Sequence, residues 1–140
     1  INIPTQATRT YIIAFSVKKS NSMWTVIFFS IVHLSVTMVS VIIISTFPDK
    51  KTITNIANQL VKRKIVACVN FTKISSIYSW KGKIENESEY LGIFKTTKKN
   101  LKVLKKELQR FHPYDVPEIA EINPSSINKP YLKWLTESTI

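Results

Sequence analysis

Glycine is scarce: 140 residues contain only Gly82 and Gly92, where an average chain of this length carries roughly ten. Walker loops and dinucleotide fingerprints need clustered glycines, so nucleotide binding by those routes is excluded. Cysteine is scarcer still. The single Cys68 rules out an intramolecular disulfide and every Cys-x-x-Cys metal or redox motif, and it fits a reducing, cytoplasmic setting. Histidine occurs twice, as His33 and His112, too few for one chain to build a multi-histidine site. Carboxylates are absent before Asp49, and the nine that follow face twenty Lys and Arg residues, leaving a net charge of +11.

That charge alone suggests an anionic partner. The lysines are dispersed, however, at Lys62, Lys64, Lys81, Lys83, Lys98, Lys99, Lys102, Lys105 and Lys106, which reads as a solvated surface. Tyr78, Trp80 and Tyr90 could stack bases, but no RNA-binding signature surrounds them. Nucleic acid is not expected as a partner. An apolar fraction of 44% supplies a real core, and the length suits one domain.

Residues 1–37 differ from the rest. They carry only Arg9, Lys18 and Lys19 as charges, show no clean period and do not begin with methionine. They are expected to lie outside the domain, as a misplaced start or appended segment, with the domain covering 38–140. Met23 to Ile44 approaches the ~20 apolar residues of a membrane helix and has basic residues before it. Against that, Val39, Ile42, Ile43 and Ile44 are β-branched and are needed in a strand, so no membrane segment is expected.

Val39 to Thr46 is a nearly continuous apolar run of strand length, as in a strand buried on both faces. Asp49 or Thr52 then caps a helix whose apolar positions are Ile53, Ile56, Ala57, Leu60 and Val61. Val66 to Trp80 reads as a long strand, turned at Gly82, where positive φ is tolerated. The returning arm carries Glu85, Glu87 and Glu89 at period two, read as a surface row. A second helix spans about Lys98 to Phe111 and stops at Pro113. Glu118 to Ile122 is a last strand, and Pro130 to Glu137 a short terminal helix. The order predicts an α+β class: a βαββαβ sandwich in the split βαβ arrangement, with two helices on one face of an antiparallel sheet. Its other face is left open, and the long hairpin with its aromatics is the natural surface for a copy of the same chain.

The segments STFPD (Ser45 to Asp49), ACVN (Ala67 to Asn70), SIYSWKGKIE (Ser76 to Glu85), FKTT (Phe94 to Thr97), HPYDVPEI (His112 to Ile119) and YLKWL (Tyr131 to Leu135) together resemble the CutA divalent-cation tolerance family. The resemblance covers 38–140 and implies a ferredoxin-like fold assembled as a homotrimer through its long bent hairpins. It also implies a link to divalent metal ions, copper among them, with ligands at a first-strand cysteine, the HPY histidine and the PE glutamate. Here His112 and Glu118 are present, and Ser45 stands at the cysteine position. A hydroxyl is a poor ligand for soft Cu(I), so a site built from His112, Glu118 and Ser45 should weaken or shift toward harder ions.

Other residues have plainer readings. Cys68 fits the core as a small hydrophobe, Tyr78, Trp80 and Tyr114 are candidates for lining an intersubunit pocket, and Lys95 for facing the same cleft. No nucleophile motif or oxyanion loop accompanies His112 and Asp115, so an enzyme is not expected. The alternative is a small-molecule sensor or protein-interaction module, similar to the trimeric PII proteins, using the clefts between subunits. It would need a long mobile loop that this sequence does not obviously contain.

Overall fold

The computed structural model describes residues 39–139. The expected extension at 1–37, and the apolar stretch before Val39, lie outside the described residues. The described end of the Met23 to Ile44 run is strand: β1 runs Ser40–Phe47. Then follow α1 (Lys50–Lys62), β2 (Cys68–Trp80), β3 (Lys83–Thr97), α2 (Leu101–Phe111), β4 (Ala120–Ile122) and α3 (Lys129–Glu137). Among the described residues no helix is long and apolar enough to cross a membrane.

The strands form one antiparallel sheet in the order β2-β3-β1-β4, the expected ferredoxin-like topology. Because side chains alternate across a strand, β1 sends Val41, Ile43, Ser45 and Phe47 into the interior, all fully buried. There they meet Phe94 of β3 and the apolar stripes of both helices, Ile53, Ile56 and Leu60 from α1 and Leu101, Leu104 and Leu108 from α2. Asp49 caps α1, accepting from the Thr52 amide and from the Thr52 hydroxyl, each at 2.8 Å. An ion pair from Arg63 to Glu107 joins the two helices.

Gly92 is explained by this packing. A Cβ there would lie 2.7 Å from the Phe94 ring and 2.8 Å from Ile53 Cδ1, so α1 sits against bare backbone opposite Ser45, its register partner.

The hairpin turns through Lys81 at φ 50° and Gly82 at φ 78°. Positive φ at both central residues is the two-residue turn whose twist matches paired strands. β3 pairs with β1 only from Tyr90 to Thr97, but with β2 from Lys83 to Lys95. Ile74 to Glu89 therefore forms a two-stranded arm projecting past the sheet. Cross-strand register places Ile77 and Ile84 on one face of the arm and Tyr78, Trp80, Glu85, Glu87 and Glu89 on the other.

Several expected boundaries shift for local reasons. α2 begins at Leu101 rather than Lys98, because the Lys98 amide bonds to Val39 and the Asn100 amide to Thr97. β4 begins at Ala120 rather than Glu118, whose carbonyl accepts from the Ser45 hydroxyl. The second sheet face is also less open than expected. α3 contacts β3 and β1, and Lys95, on the side of β3 opposite Phe94, lies over the Tyr131 ring.

Candidate functional site

Pro113 forces α2 to stop, and His112 takes up extended backbone (φ −69°, ψ 135°) while its amide still closes on Leu108 at 2.9 Å. The imidazole then packs on Phe47, centroids 4.6 Å apart, and also meets the Tyr114 ring at 5.3 Å. The Tyr114 amide donates to His112 Nδ1 at 3.1 Å. Nδ1 must therefore carry the lone pair, and the proton of the neutral ring sits on Nε2. Nε2 faces Ser45 Oγ at 3.2 Å, and Ser45 donates onward to the Glu118 carbonyl at 2.6 Å.

This relay crosses from β1 to the end of α2 and on to the segment before β4. Burial lowers the His112 pKa below its usual 6.5, against the opposing pull of the Thr46 backbone and the Glu89 charge. At neutral pH the ring is uncharged. With its proton directed at Ser45, His112 cannot serve as that serine's general base, so the pair is not a nucleophile poised for acyl transfer.

Beyond the relay the 113–118 segment faces the inner side of the hairpin arm across a cleft of about 450 Å³. Tyr78 and Trp80 come from β2, Glu89 from β3, Thr46 from β1, and Pro113, Tyr114, Asp115, Val116 and Glu118 from the loop. The Tyr114 hydroxyl donates to Glu89 Oε1 at 2.8 Å, and that of Tyr78 to Glu87 Oε2 at 3.1 Å. Burial, reinforced by the Glu89 hydrogen bond and charge, pushes the Tyr114 phenol far above its ordinary range. Tyr78 moves the same way, by desolvation and then by the Glu87 hydrogen bond, with the charges of Glu87, Glu89 and Glu85 adding to it. Glu85, Glu87, Glu89, Asp115 and Glu118, five of the nine carboxylates, thus lie on this face of the arm or on the loop beside it, in a chain of net charge +11.

The structure brings the three residues expected as metal ligands together around Ser45. Ser45 contacts the imidazole of His112 and the backbone of Glu118, while Glu118 itself is exposed and lines the cleft. Both ring nitrogens of His112 are engaged. Among the described residues no three His, Cys, Asp or Glu side chains are grouped so that they could hold a metal ion. A complete metal site is therefore not built from the described residues of a single chain.

Tyr78, Trp80 and Tyr114 line the cleft as expected. Glu89 corrects the reading of the glutamate row as surface: it is only 6% exposed, because β3 enters the sheet at Tyr90 and Tyr114 closes over it. Cys68 is half-buried rather than core. Lys95 turns away from the cleft, donating to Asn70 Oδ1 at 2.6 Å.

The family described as CutA1 divalent ion tolerance protein matches residues 41–138. The divalent-cation tolerance protein CutA of Pyrococcus horikoshii is 38% identical over 99 residues, covering 71% of this chain and 97% of the relative. The crystal structure of CutA1 from Ehrlichia chaffeensis is similar with a TM-score of 0.72 at 30% identity, covering 74% of this chain and 98% of that one. The structure named as the periplasmic divalent cation tolerance protein CutA of Archaeoglobus fulgidus is similar with a TM-score of 0.68 at 32% identity, covering 71% and 97%. Fold, strand order and these matches over most of the described chain agree: it belongs to the CutA1 divalent ion tolerance family.

Proposed function

We propose that this chain forms a cytoplasmic homotrimer that binds divalent cations, copper among them, as cargo in clefts completed between copies, and so contributes to metal tolerance. The carrying observation is the clustering of acidic side chains around the cleft on a chain of net charge +11. On a chain of that net charge, a cation is drawn to the place where carboxylates gather.

Glu118, with Asp115, supplies the first oxygen donors, and a neighbouring copy supplies the rest that a single protomer lacks. His112 and Ser45 support the site by fixing the loop; for His112 to ligate directly, its Nδ1 would have to release the Tyr114 amide. Oxygen donors without a thiolate suit Zn(II) and Cu(II) better than Cu(I). The assembly reading rests on the arm, whose Ile77 and Ile84 are 72% and 74% exposed. An isolated two-stranded ribbon is marginal in water, and its open edge and apolar face invite another copy.

The sensor alternative fares worse, because the same carboxylates repel nucleotides and anionic metabolites. Calorimetric titration with Zn(II) and Cu(II) tests the proposal: Glu118→Gln is expected to weaken binding by at least about tenfold, the scale of one charged contact, and His112→Ala by less. Wild-type affinity in both variants removes the site. Saturable binding of anionic metabolites would favour the sensor.

A further inference from the structure

Glu89 is nine-tenths buried, yet only one of its oxygens has a protein partner. Oε1 accepts from Tyr114, while among the described residues Oε2 accepts from none. Glu89 lines the cleft, so its unpartnered oxygen is open to a ligand there. No described side-chain oxygen is both buried and without a partner, so Oε2 keeps access to the cleft, and a cationic N–H donor there would complete it with a charge-assisted hydrogen bond.

The surroundings specify that donor further. Tyr78, Trp80 and Tyr114 present aromatic walls to the same space, and aromatic faces attract ammonium groups while covering methylenes. Asp115 and Glu118 stand at the loop side. A metal ion needs its ligands gathered around one point, and the acidic groups of this protomer are not so gathered. Dispersed carboxylates separated by aromatic surface match a ligand whose positive charges are also dispersed along an apolar chain. The volume, about 450 Å³, falls within the range of roughly 300–1,000 Å³ usual for small-molecule sites.

We infer that the cleft binds a linear polyamine, one ammonium group on Glu89 Oε2 and its methylenes against Trp80 and Tyr78. This rests on the foregoing proposal only in taking the cleft as the ligand site, and requires neither a metal nor a metal-binding geometry. Nonspecific attraction is opposed by the net charge of +11, which repels a polycation.

The test is calorimetric titration of the full chain with spermidine, with Mg(II) and Zn(II) run separately at matched ionic strength. Saturable binding of one spermidine per chain is expected, weakened at least about tenfold in Glu89→Gln, the loss of one charged hydrogen bond. Trp80→Ala, which alters a half-exposed side chain and keeps the core, is expected to weaken it about threefold or more. Glu137→Gln, on the remote α3, is expected to leave it unchanged. Absence of saturable spermidine binding overturns the inference, as does binding indifferent to both cleft variants or matched by Mg(II). Zinc binding with no spermidine binding would sink this inference alone; the reverse would sink the metal reading alone.

Discussion

Ser45 Oγ stands 3.2 Å from His112 Nε2 and donates to the Glu118 carbonyl 2.6 Å away, so one buried hydroxyl ties β1 to both ends of the loop that walls the cleft. Ser45→Ala removes the donor to the Glu118 carbonyl and one of the contacts of His112 Nε2, which keeps the Thr46 backbone. The expected loss is about 1–3 kcal/mol, the scale for orphaning buried polar groups, read as a lower denaturant midpoint at unchanged slope.

His112 carries a pH dependence whose sign follows from its surroundings. Its folded pKa lies below the usual 6.5 because burial disfavours the charged ring. Below pH 6.5 the unfolded chain binds the proton more readily, so the stability present above that pH is lost as pH falls toward the folded value. Imidazole NMR should show His112 titrating below 6.5, and His112→Gln should flatten this part of the stability profile.

Glu121 governs a lower window. Hydrogen bonds from Lys105, at 2.7 Å, and then from Lys98, at 2.6 Å, with a further one from Asn123, hold its carboxyl at about 2 instead of the ordinary 4.5. The stabilisation is present above pH 4.5 and lost as pH drops toward 2. Glu121→Gln is expected to flatten the acid limb there while leaving the His112 window intact, as acid unfolding curves would show.

Gly92→Ala would drive a methyl into Phe94 and Ile53, both fully buried. Overpacking of this kind costs about 1–3 kcal/mol; a thermal melt should fall accordingly. Gly82→Ala meets no steric neighbour, and its loss arises from the positive φ instead.

The two glycines illustrate what the sequence discloses. Gly82 was legible because a turn between alternating runs needs positive φ, whereas Gly92 lies mid-strand and its purpose depends on the approach of α1. β1, α1 and α2 could be read because their periods are local. The relay joins residues 67 and 73 positions apart, a relationship no local pattern carries. Glu89 was misread for a similar reason. A period-two glutamate row looks the same in water as under a loop, and only Tyr114 closing over one member distinguishes them. The motif resemblance brought Ser45, His112 and Glu118 together as candidates, but not the backbone role of Glu118, the tautomer of His112 or the place of Asp115 in the cleft wall.

Assembly through the projecting arm is the claim on which the proposed clefts depend, and sedimentation equilibrium of the full chain tests it most directly. The account predicts three times the 16.1 kDa of one chain at micromolar concentration, falling to one chain when Ile77 and Ile84 are both replaced by Asp. A wild-type protein that sediments as a single chain would contradict it.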